Sequence, residues 1–360
     1  MNLKGKKVLL RVDFNVPLKG NKVADDFRIK APLPGIKDLL KKGAKVLLLA
    51  HLESDDKNPS LEAVSRHLEK LLGMKVRFIK GKIPANPCDF PERVWLFDNL
   101  RLNSGEKNND RNFAKQLARW GDYYINDAFS ASHREHASIV GLPKFLPHEA
   151  GPLMKAEIKN LSNFFSPEHP FLFILAGKKF ATKEPLISKF LKKADAIFIG
   201  GALANTFLAK RGTDVKRSKV ESVKISDKIL WSQKIILPED WEIEEGSIYD
   251  AGPRTMKALS ELAQNAKLVL WNGTIGLCEK GFTYGTKELG KSLGRSKAFR
   301  LVGGGDTVAA IRKMKLEKNF DFISTGGGAM LEFLAKETLP GIAALGEPRL
   351  QSRREALKKK

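Results

Sequence analysis

The chain has 360 residues, 42% apolar and 29% charged, which excludes a disordered polypeptide and leaves room for two separately cored domains. No run of 18 apolar residues occurs, so no transmembrane helix is expected. With 63 Lys and Arg against 41 Asp and Glu, the net charge is +22, and the expected ligands are anions: nucleotides, phosphorylated metabolites or nucleic acid.

Two cysteines, Cys88 and Cys278, fit neither a metal-ligand spacing nor a disulfide framework. The stretch 1–7 lacks a signal-peptide pattern, and a reducing, cytoplasmic setting is expected. Lysine pairs such as Lys41-Lys42 and Lys192-Lys193 read as solvated helix faces, and the tail 353–360 as a frayed end.

In chain order, Lys7–Val12 is an apolar strand, Pro34–Lys42 a helix ahead of Gly43, and Lys45–Ala50 a second strand. Ser60 is placed to cap a helix over Leu61–Leu72 that stops at Gly73. Strands at Lys75–Ile79 and Val94–Phe97, a helix at Asn112–Trp120 and a strand at Tyr123–Ile125 follow. Continuous apolar strands between amphipathic helices predict a parallel sheet covered on both faces. Near residue 150 the rhythm changes. Pro152–Phe165 carries one apolar helical face and ends at a Pro-rich break, as a connector between domains would. The second half resumes with strands at Phe171–Leu175, Ala196–Ile199, Ser247–Tyr249, Leu268–Trp271, Phe299–Val302 and Phe320–Ile323. The fold class is therefore α/β, with two doubly wound halves.

Such sheets take ligands at the carboxyl ends of their strands, where Asp13, Asn15, His51, Asn272 and Asp306 fall. Three glycine turns follow apolar runs in the second half: Gly200-Gly201, Gly303-Gly304-Gly305 and Gly326-Gly327-Gly328. Each brings backbone close to a ligand at a helix N-terminus, which suits phosphate. In the first half Arg28, His51, Arg101, His133, Arg134 and His136 stand near strand ends and suit a small acidic molecule, although spacing does not prove that they converge. The segment 285–292 matches GxxxxGK[ST], but no buried strand precedes it and it reads as a helix.

Taken together, Arg11-Val12-Asp13-Phe14-Asn15-Val16-Pro17, the FDNLRL and YINDAFSASHR blocks, Ala176-Gly177-Lys178-Lys179, Trp271-Asn272-Gly273-Thr274, VGGGDT and STGGGA occur in one order from about residue 5 to 345. In that order they resemble the phosphoglycerate kinase family. The resemblance implies two Rossmann-like domains joined by a hinge helix: 1–150 for phosphoglycerate, with 340–360 packing back on it, 151–166 as the interdomain helix, and 167–339 for nucleotide. It implies reversible phosphoryl transfer between 1,3-bisphosphoglycerate and Mg-ADP in a cytoplasmic monomer without specific nucleic acid or membrane partners. Asp13, Asn15, Arg28, His51, Arg101 and Arg134 would face phosphoglycerate. Lys179, Lys183, Gly201, Asn272, Glu279, Gly304, Gly305, Asp306 and Thr307 would face the nucleotide, with Asp306 on Mg²⁺. Arg28, Lys179, Gly327 and Gly328 would stabilise the transferring group. The alternative is a nucleotide-binding relative with reduced turnover.

The sequence departs from the family after the second strand. The family's SHLGRP is Ala50-His51-Leu52-Glu53-Ser54-Asp55, so the arginine expected on the 3-phosphate falls at Ser54, between two carboxylates. Loss of one charge-assisted pair weakens binding roughly 10- to 150-fold, and Lys57 is the nearby cation that could compensate. AGKK stands for GGAK, and Thr274 for the proline of WNGPMG.

Overall fold

The structure is a computed structural model that describes residues 2–54 and 59–346. Asp55, Lys57 and the predicted segment beyond 346 lie outside the described residues. Among these, one compact unit comprises 2–159 with 338–346 and the other comprises 160–337. No helix of the described residues is long and apolar enough to cross a membrane.

The first unit is built on six parallel strands in the order Val76–Ile79, Val94–Phe97, Lys45–Leu49, Lys7–Arg11, Tyr123–Asn126, His148–Ala150. Val94–Phe97 and Tyr123–Asn126 are buried at every position, as strands covered on both faces must be. Leu10, Val46, Leu48 and Leu96 form the middle of its core, with Ile36, Leu39, Val64 and Leu68 from the covering helices. The direction in which the connections step through the sheet reverses between Lys7–Arg11 and Tyr123–Asn126, which makes that junction its switch point. The short helix Pro340–Ala343 belongs to this unit: the Gly341 amide donates to the Ser132 carbonyl at 2.8 Å. A Cβ on Gly341 would lie 2.7 Å from the Ser132 side chain, so only glycine permits that approach.

The second unit has six parallel strands in the order Ile235–Ile236, Ala196–Gly200, Phe171–Ala176, Leu268–Asn272, Phe299–Gly303, Phe322–Ile323. Its switch point lies between Phe171–Ala176 and Leu268–Asn272, where ligands of doubly wound sheets sit. The two halves are thus not copies, since the first sheet inserts its fourth strand between the second and third.

Several elements differ from the sequence reading. The strand expected at Ser247–Tyr249 lies outside the parallel sheet. It forms Ser247–Ala251, antiparallel to Trp241–Glu244. Glu245 and Gly246 both have positive φ (49° and 76°), the geometry of a two-residue hairpin turn. The helix predicted over Pro152–Phe165 ends at Ser162, and the one at Leu61 begins at Glu62 with no side-chain cap. The Ser60 hydroxyl instead accepts from the Glu62 amide at 3.2 Å and donates to Asp98. The GxxxxGK[ST] segment lies inside the helix Tyr284–Arg295, with Lys291 paired to Glu288, so it is no phosphate loop.

Candidate active site

At the carboxyl ends of the first sheet, charged side chains from four loops converge. Arg11 closes the strand Lys7–Arg11 and is wholly buried. Its Nη2 lies 3.1 Å from His51 Nδ1. Arginine has only donors, so Nδ1 accepts and the ring proton of His51 sits on Nε2. Burial first, then the charge of Arg11, holds His51 well below the usual histidine range, so the ring is a neutral N–H donor. Arg11 Nε donates to Ser138 Oγ at 3.0 Å, and Ser138 donates to the buried Glu106 through both its hydroxyl (2.6 Å) and its amide (3.0 Å). Burial pushes the Glu106 carboxyl up, and Arg11 partly offsets that. Neither Arg11 nor Glu106 was singled out from the sequence. The available signal was a charged residue ending an apolar strand.

Asp13 and Asn15 follow that strand. The Asp13 carboxylate accepts from the Asn15 amide at 2.9 Å and from the Ser130 hydroxyl, and it lies 3.3 Å from Arg28 Nη1. Arg28 also donates to the Asn15 carbonyl at 3.0 Å. Asp13 therefore orients Arg28. Arg101 stands on the turn Leu100–Leu102 after Val94–Phe97, where Asn99 Oδ1 accepts from its amide. Arg101 and Arg134 both donate to Glu53 Oε1, Arg134 at 2.9 Å. Arg101 Nε is buried without a partner among the described residues. His136 is half-buried and pushed down to about 4 by burial and then by Arg11. All six residues expected for phosphoglycerate thus stand at this end of one sheet. Glu53, which the sequence showed only as a carboxylate beside Ser54, stands between Asn15, Arg101 and Arg134.

The second unit holds a cavity of about 710 Å³ over its switch point, within the range of small-molecule sites. Every residue expected for the nucleotide lines it: Lys179, Lys183, Gly201, Asn272, Glu279, Gly304, Gly305, Asp306 and Thr307. Pro238, Trp241, Ile248 and Tyr249 add an apolar wall. Three of these, Trp241, Ile248 and Tyr249, come from the hairpin missing from the parallel-strand reading. Gly273, at φ 100°, bridges the two switch-point strands. A Cβ there would lie 2.1 Å from the Ala176 carbonyl oxygen. The Gly273 amide donates to Thr307 Oγ1 at 2.9 Å, and Asn272 Nδ2 to the Gly303 carbonyl at 3.0 Å. Asn272 and Thr307 thus tie the glycine loops to each other.

The helix Gly305–Lys313 makes its first backbone bond from Val308 to Gly304, which leaves the amides ahead of Val308 for an anion. Lys183 lies over Gly177, where a Cβ would sit 3.3 Å from its Nζ. Burial pushes its ammonium down, against the opposing pull of Glu221. Lys178, which adds a charge to the loop, is an exposed part of the lining. Asp250, buried behind the wall, is pushed up to about 6 by desolvation despite two amide donors. Gly327 and Gly328 are not among the lining residues. Gly327, at φ 53°, stands immediately ahead of the helix Gly328–Lys336.

No group of three or more His, Cys, Asp or Glu able to hold a metal occurs among the described residues. Asp306, exposed in the first turn of its helix, is a single carboxylate. That donor set does not fit a resident ion. It fits a Mg²⁺ that arrives with phosphate and water ligands.

The family model for phosphoglycerate kinase matches residues 1–337. A phosphoglycerate kinase of Herpetosiphon aurantiacus is 39% identical over 95% of this chain and 97% of its own length, and one of Rubrobacter xylanophilus is 40% identical over 96% and 97%. The solved phosphoglycerate kinase of Coxiella burnetii superposes with a TM-score of 0.83 at 33% identity, covering 96% of this chain and 97% of the other. That of Pyrococcus horikoshii gives 0.83 at 31%, with the same coverage. Both sheets, both glycine-rich and charged strand ends, and the order of the motifs along the chain are accounted for together: the chain belongs to the phosphoglycerate kinase family.

Proposed function

We propose that this chain transfers a phosphoryl group reversibly from 1,3-bisphosphoglycerate to Mg-ADP, giving 3-phosphoglycerate and ATP. The observation that carries the reading is the pairing, within one member of this family, of an arginine-rich cradle at one sheet's carboxyl end with a glycine-lined cavity at the other's switch point. The cradle suits a small polyanion. Arg28, Arg101 and Arg134 supply forked donors, and His51 supplies a neutral one. The cavity suits a nucleotide, with an apolar wall for the base and helix-terminal amides with Lys183 for the phosphates.

In-line transfer asks for positioning and charge neutralisation more than covalent chemistry. Arg28, fixed by Asp13, would neutralise the transferring group from the acyl-phosphate side. Lys179 would do so from the nucleotide side, with the amides at Gly327 and Gly328 contributing. Glu279 would hold the ribose. Mg²⁺ on the nucleotide, held by Asp306 directly or through water, would neutralise phosphate oxygens. No one unit carries both sets of groups, so the proposed reaction includes a closing step that also excludes water from the acyl phosphate. A cytoplasmic monomer acting in glycolysis and gluconeogenesis is part of the same reading.

The test is ATP formation from 1,3-bisphosphoglycerate and Mg-ADP by the full chain. Turnover that saturates in both substrates supports the proposal. No ATP at saturating concentrations overturns it.

A further inference from the structure

Glu53 stands where the cradle would receive an anion. Its Oε1 accepts from Arg101 and, at 2.9 Å, from Arg134. Its Oε2 lies 3.4 Å from Asn15 Nδ2. Chemically, this carboxylate stands in for an anionic group of a bound substrate: it makes the forked contacts that such a group would make.

The contact is built into the loop rather than reached by a wandering side chain. Asn99 Nδ2 donates to the Leu52 carbonyl at 2.8 Å, and Asn99 Oδ1 accepts from the Leu52 amide at 3.2 Å. The Glu53 amide donates to Asn15 Oδ1 at 2.9 Å. Asn99 is wholly buried, so the backbone under Glu53 is held from both sides. The Glu53 side chain itself is 46% exposed. It can therefore rotate into solvent while its backbone stays in place.

We propose that Glu53 determines the affinity of this chain for its acidic substrate by occupying the cradle, so that the substrate binds by exchanging with the Glu53 carboxylate on Arg101 and Arg134. The inference rests on the assignment of the cradle to phosphoglycerate. Two consequences follow from the chemistry. A ligand must outbid an internal carboxylate, which favours polyanions over monoanions. Two arginines are also kept paired in the free protein, which lowers their attraction for stray anions.

The experiment compares wild type, E53Q and E53A. It measures KM for 3-phosphoglycerate at saturating Mg-ATP, KM for Mg-ATP, and calorimetric binding of 3-phosphoglycerate and of sulfate to the full chain. Two partly exposed ion pairs predict that KM and Kd for 3-phosphoglycerate both fall roughly 2- to 25-fold in E53Q and E53A. Sulfate binding tightens in parallel, and the KM for Mg-ATP does not move. Unchanged or weaker binding of 3-phosphoglycerate in both variants overturns the proposal, as does an equal change in both KM values. If wild type transfers no phosphoryl group, the reading under Proposed function fails on that result alone. Calorimetry then still decides Glu53: tightening in the variants supports the exchange, and no tightening, or no binding to any of the three proteins, overturns it.

Discussion

The cradle and the cavity lie at equivalent places, the carboxyl ends of two parallel sheets, yet they are made from different parts of the chain. The cavity is made of backbone. Glycines 177, 201, 273 and 304 all have positive φ, and helix N-termini open beside them. The cradle is made of side chains that hold one another: Asp13 holds Arg28, Ser138 bonded to Glu106 holds Arg11, Arg11 holds His51, and Glu53 holds Arg101 and Arg134. A backbone site is fixed once the chain folds. A side-chain site also depends on which carboxylate each arginine is paired with, so its affinity can shift by one substitution without any change of fold.

The largest expected effect is on the cradle. Arg28→Ala removes the cation that Asp13 orients and that would neutralise the transferring group, and kcat for ATP formation should fall about 100- to 1000-fold. Thermal unfolding should barely change, because Arg28 is a partly exposed side chain.

The cavity should respond the other way, through structure. Gly273→Ala places a Cβ 2.1 Å from the Ala176 carbonyl oxygen at a φ of 100°. Stability should drop by about 2–4 kcal/mol in chemical denaturation, with nucleotide binding weakened by the displaced loop. Wild-type stability in this variant would show that the switch-point strands can part at little cost.

A smaller effect compares two buried carboxyls, Asp127 beside the first switch point and Asp250 beside the second. Both are pushed up to about 6 by desolvation. Asp250 has amide donors for both oxygens. Asp127 Oδ1 accepts from the Met154 amide at 3.0 Å, while its Oδ2 has no partner among the described residues. A folded-state value above the ordinary one, near 3.8, means that the protonated form favours the fold. The Asp127 contribution is then full below about pH 4 and lost as pH rises through about 6. Asp127→Asn, which keeps the Met154 acceptor, should gain about 1–3 kcal/mol on wild type between pH 4 and pH 7. Denaturation midpoints across that range test this, and parallel curves would sink it.

The same contrast explains what was legible in the sequence. The cavity half is written locally, with a glycine turn directly after an apolar run, so every residue expected for the nucleotide lines one cavity. The hairpin at Trp241–Glu244 and Ser247–Ala251 escaped because its strands are short, half-exposed and made antiparallel by a two-residue turn. The edge strands His148–Ala150 and Ile235–Ile236 are too short for any period to show. In the cradle, residue types were readable but their pairing was not. Ser54 stood out as a missing arginine, whereas the occupation of the cradle by Glu53 depends on side chains 38, 48 and 81 positions away in sequence. Such contacts exist only once the strand order brings those loops together.

The most direct test of two separate half-sites is crossed calorimetry on the full chain. Wild type, Arg134→Ala and Lys183→Ala are each titrated with 3-phosphoglycerate and with Mg-ADP. The account predicts that Arg134→Ala weakens 3-phosphoglycerate by about tenfold or more and leaves Mg-ADP unchanged, and that Lys183→Ala does the reverse. If either substitution weakens both ligands equally, or if the effects fall on the opposite ligands, the division into an acid cradle and a nucleotide cavity is wrong.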